Sequence, residues 1–292
     1  MNDIKDGFIK TKDYQIYYKI KGTISKDSTP LIILHGGPGG SLYSYEPLFD
    51  LENSKMPVIM YNQHGSYKSD IFIEDKSSLY TIDSFMDELD IVIKELKINK
   101  FYLLGHSWGG MLALSYAIKR KNKNMLGLIL FSTLPSTKMW NSESLRLVEY
   151  YPPKMREEIS KSRDIPEYSS PLLKKAIKRF MKEHVRDKDK VSYVYKIKPV
   201  KYRGEAYKYM WGESELFGSR TLKDYNLEND LYLIDYRTLI ISGANDESTP
   251  YINKFMHDRI KNSTWVLLKD SSHTGYLTET DKVIDAIQEF TR

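Results

Sequence analysis

Three short segments of the 292-residue sequence carry the side-chain types that acyl transfer requires. Gly105-His-Ser-Trp-Gly-Gly sets Ser107 in a Gly-x-Ser-x-Gly pattern, between the apolar stretch Phe101–Leu104 and a helix-forming one, Trp108–Lys121. A strand that turns directly into a helix strains the backbone of its junction residue and holds that side chain at the carboxyl end of the strand. The helix N-terminus also favours a developing negative charge there. Ser107 is thus the candidate nucleophile. His106 is a poor base for it, because adjacent residues on extended chain point in opposite directions.

A serine hydroxyl needs a general base, and the base needs a carboxylate to orient it. In chain order behind a turn of this kind the carboxylate precedes the histidine. Asp246, in Gly243-Ala-Asn-Asp-Glu-Ser-Thr-Pro, and His273, in Asp270-Ser-Ser-His-Thr-Gly, satisfy that order. Each follows a short apolar run, Thr238–Ser242 and Thr264–Leu268, so both fall just past strand ends, where functional groups of parallel sheets converge. Asp224, Asp230 and Asp235 are weaker rivals for the carboxylate. His257 falls inside a helical stretch and His184 in a charged one, and both are expected at the surface. The third segment is Leu34-His-Gly-Gly-Pro-Gly-Gly. Its glycines let backbone N–H groups approach a tetrahedral oxyanion, with Gly37 as one donor and Trp108, the residue after the nucleophile, as the other. It does not fit the glycine patterns that cradle phosphates.

These segments must be positioned by alternating strands and helices. Residues 7–20 read as two strands with a turn near Lys12-Asp13. Leu31–Leu34, Val58–Tyr61, Phe101–Leu104 and Gly127–Phe131 read as buried strands. Ile82, Phe85, Leu89, Val92 and Leu96 recur at helical spacing over Thr81–Lys97. After residue 134 the alternation lapses into a Lys-, Tyr- and Glu-rich stretch with no buried strand. It resumes at Thr238–Ser242 and continues with helices over Pro250–Lys261 and Thr278–Phe290. The expected architecture is an α/β domain, 1–134 and 232–292, with a mostly parallel sheet covered by helices on both faces, interrupted by a mainly helical insertion, 135–231.

Composition narrows the class further. Hydrophobic residues make up 41% and charged residues 28%, which suits a globular domain with a sizeable core. Cysteine is absent, excluding thiolate chemistry, disulfides and cysteine metal sites. None of the six histidines has the short helical spacing of a zinc site, so neither metal nor cofactor is expected. Forty-four Lys+Arg against 39 Asp+Glu leave a net charge of +5, concentrated in residues 135–231, where 21 basic face 15 acidic residues. The charges are interleaved and contain no like-charge block, so nucleic acid is not the expected partner. No apolar run approaches the roughly 20 residues of a membrane span, and Met1–Asp6 carries no apolar leader stretch, so the expectation is a cytoplasmic protein.

Taken together, His35-Gly-Gly-Pro-Gly-Gly, Gly105-His-Ser-Trp-Gly-Gly, Gly243-Ala-Asn-Asp-Glu-Ser-Thr-Pro and Ser272-His273 resemble the proline iminopeptidases (prolyl aminopeptidases) of the α/β-hydrolase fold, including those that trim products of tricorn protease. The resemblance spans nearly the whole chain. It implies Ser107, Asp246 and His273 as the triad, a helical cap, and release of an N-terminal residue, preferentially proline, from short peptides. It also implies that glutamates bind the substrate's free amino group: Glu247 beside the aspartate, and Glu215 in Tyr209-Met-Trp-Gly-Glu-Ser-Glu-Leu-Phe, with Glu213 as competitor. A carboxylesterase, lactonase or amidase would keep the chemistry and change the substrate. One departure stands out. Where the family reads Asp-Gln-x-Gly-x-Gly-x-Ser, this chain reads Asn62-Gln-His-Gly-Ser-Tyr67-Lys-Ser, which leaves the local loop structure open.

Overall fold

The computed structural model describes residues 4–69, 77–164, 167–191 and 204–292. Eight strands form one sheet: β1 (Lys5–Lys10), β2 (Gln15–Lys21), β3 (Leu31–Leu34), β4 (Val58–Tyr61), β5 (Phe101–His106), β6 (Met125–Phe131), β7 (Thr238–Gly243) and β8 (Ser263–Leu268). Their order is β1-β2-β4-β3-β5-β6-β7-β8. β1 and β2 pair antiparallel as a hairpin and β2 runs antiparallel to β4; from β4 to β8 every pairing is parallel.

Strand alternation divides the core into two layers. Ile32, Leu34, Leu103, Leu128, Leu130 and Ile240 face α1 (Ile82–Glu95), α2 (Trp108–Arg120) and α7 (Pro250–His257). Leu31, Ile33, Leu104, Ile129, Leu239 and Ile241 face a 3-10 helix at Leu42–Leu51 and α9 (Thr280–Thr291). The central strands are buried on both faces, which explains their continuous apolar runs. Among the described residues between β6 and β7 lie α3 (Thr137–Leu147), α4 (Pro153–Asp164), α5 (Pro171–Phe180), a π-helical turn (Met181–Val185) and α6 (Glu205–Met210), with no strand of the sheet. α3, α4 and α5 share a cluster of their own around Val148, Ile159, Leu173 and Phe180. Trp140, Met210 and Trp211 instead join the layer that contains α2. The neck of this segment is zipped: the Leu227 N–H donates to the Pro135 carbonyl (2.8 Å) and the Thr137 N–H to the Tyr225 carbonyl (3.0 Å).

One helix is shorter than its periodicity suggests. The helix expected to reach Lys261 ends at His257, where the Ser263 hydroxyl reaches the His257 carbonyl and competes with helix continuation. The closing helix, expected over Thr278–Phe290, is α9, and a short helix α8 (Gly275–Thr278) precedes it. Between them the Glu279 carboxylate accepts from the Asp270 N–H (3.0 Å) and the Ser271 hydroxyl (2.6 Å), tying this corner to the loop that carries His273.

The tightest packing lies under Ser107. A Cβ at Gly105 would collide with the backbone of Gly109, and one at Gly109 with the Leu34 carbonyl at the end of β3. Neither obstacle is a flexible side-chain end, so Gly109→Ala forces β3 and α2 apart. It is expected to destabilise by about 1–3 kcal/mol or more as an overpacked site. Urea denaturation checks this; a midpoint equal to wild type would show that the strand–helix junction has slack.

Candidate active site

Ser107 is the junction residue of β5 and α2, with φ 55° and ψ −123°. Positive φ in a non-glycine residue costs on the order of 1–3 kcal/mol and persists only where packing enforces it. Its carbonyl accepts from the Gly110 N–H (2.8 Å) and the Thr133 hydroxyl (2.8 Å), so the turn is held from both sides. The Ser107 side chain opens into a cavity of about 820 Å³ also lined by Gly37, Tyr207, Glu215, Glu247 and His273.

His273 is oriented from behind. Its Nδ1–H donates to Asp246 Oδ1 at 2.8 Å, which leaves Nε2 on the cavity side as the available base nitrogen. Asp246 is fully buried and accepts in addition from the Ser248 N–H (2.8 Å) and the Ser132 hydroxyl (2.5 Å). Ser132, at φ 47° just past β6, gave no signal in the sequence. The Ser107 hydroxyl and the His273 imidazole face one cavity without a hydrogen bond between them; such contacts often tighten only around substrate.

The other buried histidines near the site are structural. His106 Nε2 lies 2.9 Å from the His273 carbonyl, which can only accept, so Nε2 carries the proton. Nδ1 then accepts from the Tyr45 hydroxyl (2.7 Å), which in turn accepts from the Gly36 N–H (2.8 Å). Burial holds His106 well below the usual histidine pKa and therefore neutral. His35 is pushed down to about 4 by burial, partly offset by its bond to the Gly36 carbonyl. Its Nε2 accepts from the Gln63 N–H (3.0 Å), and Gln63 Oε1 accepts from Trp108 Nε1 (2.8 Å). The glycine loop and the start of α2 are thereby joined through one buried network. Among the described residues, neither the Gly37 nor the Trp108 backbone N–H donates to another group of the chain.

Adjacent residues have opposite environments at the far wall. Glu247 is fully buried, and neither carboxylate oxygen has a hydrogen-bond partner. Its Oε1 lies 3.6 Å from His273 Nε2. Burial, then the negative charges of Glu215 and Asp246, push its pKa well above the carboxylate range. Glu215 accepts from the Tyr207 hydroxyl at 2.6 Å, and burial raises its pKa too, against the lowering effects of that bond and of His273. Glu213 is exposed, pairs with Lys208 at 3.3 Å and lines a different surface depression. Asp224 and Asp235 are also exposed, and with Asp230 they lie outside the cavity.

A family profile for the alpha/beta hydrolase fold matches residues 29–280. A proline iminopeptidase of Clostridioides difficile (strain 630) is 35% identical over 288 residues, 98% of each chain. A proline iminopeptidase of Lactobacillus helveticus (strain DPC 4571) is 34% identical over 289 residues, 99% of this chain and 98% of the other. The chain belongs to the proline iminopeptidase family of α/β-hydrolases. Among solved structures, VinJ superposes with a TM-score of 0.88 at 27% identity, covering 98% of this chain and 97% of its own. The Mycobacterium smegmatis proline iminopeptidase does so with 0.84 at 22%, with the same coverage, and supports the fold.

Within this family member the Asn62 departure has a local explanation. Asn62 is buried, its Oδ1 accepts from the Leu42 N–H (2.8 Å), and its amide donates to the Tyr67 carbonyl. An amide both accepts and donates here, so Asn62 closes the loop on itself. His184 corrects a sequence expectation. It is buried rather than solvated, and its carbonyl accepts from the N–H groups of both Glu247 (3.2 Å) and His273 (3.1 Å). Its Nδ1 meets the Asn245 carbonyl (3.0 Å) and its Nε2 the Tyr150 hydroxyl (3.2 Å). Its charged sequence surroundings concealed this role. His257, expected at the surface, is half-buried and bonds Ser263 through Nδ1 (2.9 Å). Among the described residues, no group of three or more His, Asp or Glu could hold a metal ion, and no helix is long and apolar enough to cross a membrane.

The uncompensated Glu247 carboxylate should cost stability. Its folded pKa lies above the unfolded value, so folding favours the protonated form. The stabilising contribution is complete below the ordinary carboxylate range and is lost as pH rises through the folded pKa. Glu247→Gln is therefore expected to raise the melting temperature at pH 8 by about 2 °C or more, with the gain vanishing near pH 4. Calorimetry at the two pH values checks it; a loss of stability at pH 8 would mean that the carboxylate is compensated.

Proposed function

We infer that this protein releases N-terminal proline from short peptides through an acyl-enzyme, with Ser107 as nucleophile, His273 as base and Asp246 as its orienting carboxylate. The observation that carries this reading is the pair of cation-free glutamates, Glu215 and Glu247, facing the same cavity as the serine and histidine. A buried carboxylate without a partner favours a cationic ligand, and the ammonium of a free N-terminus fits. An ester or acylated peptide lacking that charge leaves the Glu247 carboxylate without a partner, which argues against a general esterase.

In the proposed sequence His273 Nε2 takes the Ser107 proton as the hydroxyl attacks the first carbonyl. The N–H groups of Gly37 and Trp108 receive the oxyanion. The tetrahedral intermediate collapses, the C–N bond breaks, and His273 returns the proton to the leaving amine. Water then repeats the sequence on the ester and releases proline. Residues 135–231 act as a cap over the core formed by 1–134 and 232–292, and the protein works in the cytoplasm.

Ser107→Ala is expected to lower kcat/KM for a prolyl anilide by about 10⁴-fold or more. N-acetylation of the substrate is expected to cost wild type about 100-fold or more. Side-by-side anilide assays check both; full turnover by Ser107→Ala would overturn the mechanism, and equal turnover of the acetylated substrate would overturn the aminopeptidase assignment.

A further inference from the structure

The cavity carries charge of both signs. Arg186 follows the π-helical turn and lines the same cavity as Ser107 and His273. Its Nε is buried and has no hydrogen-bond partner. Among the described residues it forms no ion pair. The nearest acidic residues in sequence are engaged otherwise: Asp187 accepts from the Asp189 N–H (3.1 Å) and Asp189 pairs with Lys182 (3.0 Å). The stretch 192–203 contains four basic residues and no acidic one, so the sequence there supplies no counter-charge. Lys188 lines the same wall.

Both signs line one cavity, and no ion pair joins Arg186 to Glu215 or Glu247. Burial raises the Tyr276 phenol to about 12, and the Arg186 charge works against that rise; both residues line the cavity. A guanidinium with an unsatisfied buried N–H is a receptor for a carboxylate, with fork geometry that an ammonium lacks. A cavity of about 820 Å³ has room for a few residues.

We propose that Arg186 binds the C-terminal carboxylate of the substrate, so that the cavity selects short zwitterionic peptides by clamping both termini. This rests on the aminopeptidase reading above and adds the substrate class. Arg186 is a specificity determinant in this scheme and takes no part in proton transfer.

The test compares kcat/KM for Pro-Ala, Pro-Ala-Ala and Pro-Ala-Ala-Ala as free acids and as C-terminal amides, for wild type, Arg186→Met and Arg186→Lys, with a prolyl anilide alongside. Wild type is expected to prefer the acid by about tenfold or more at one or more of these lengths, as a charge-assisted hydrogen bond allows. That ratio should fall towards one in Arg186→Met and recover partly in Arg186→Lys. An acid-to-amide ratio within twofold at every length in wild type, or a ratio unchanged by Arg186→Met, would overturn the proposal. Wild-type turnover of the anilide separates this outcome from failure of the aminopeptidase reading, since the anilide has no carboxylate to bind. Circular dichroism of each variant distinguishes a lost ratio from a lost fold.

Discussion

A serine held at φ 55° and ψ −123° needs an external force to stay there. In this protein the force is close packing of β3, β5 and α2, which meet so tightly beneath Ser107 that Gly105 and Gly109 have no room for a side chain. The same compression sets the neighbouring backbone. It brings the glycine loop after β3 to the start of α2, where the Trp108–Gln63–His35 network holds the two together. The strain and the two free N–H groups are thus products of one packing arrangement, and the sheet order makes it possible by placing β3 beside β5.

Asp246 and Glu247 show how neighbouring carboxylates on one loop acquire different tasks. Both are fully buried. Asp246 is surrounded by donors: a histidine N–H, a backbone N–H and a serine hydroxyl. Glu247 receives none, and burial with two negative neighbours raises its pKa. A satisfied carboxylate can orient a base, whereas an unsatisfied one stores an electrostatic demand that a cationic ligand relieves. Arg186, its buried Nε without a partner, brings a charge of the opposite sign to the same cavity.

The segment between β6 and β7 does more than line the cavity. The His184 carbonyl is shared by the N–H groups of Glu247 and His273, and the Val185 carbonyl accepts from the Ser272 hydroxyl at 3.0 Å. One π-helical turn therefore pins both functional loops of the core, and any displacement of that turn is felt at the base and at the glutamate together.

Local chemistry made much of this readable in one dimension. Strand positions followed from apolar runs, the nucleophile turn from glycines around a serine, and Asp246 and His273 from their places just past strand ends. Those are short-range signals, written into neighbouring residues by steric clearance and burial. Other features arise only when distant segments meet. Ser132 reaches Asp246 across 114 positions, the buried His184 lies within a stretch whose charges suggested solvent, and Glu215 parts from Glu213 because Tyr207 holds the one in the cavity while Lys208 pairs the other outside it. The Glu279 carboxylate likewise ties the start of α9 to the loop before His273. Burial and electrostatic compensation depend on all neighbours in space, so tertiary packing alone decided which charges would stay unpaired and face the cavity.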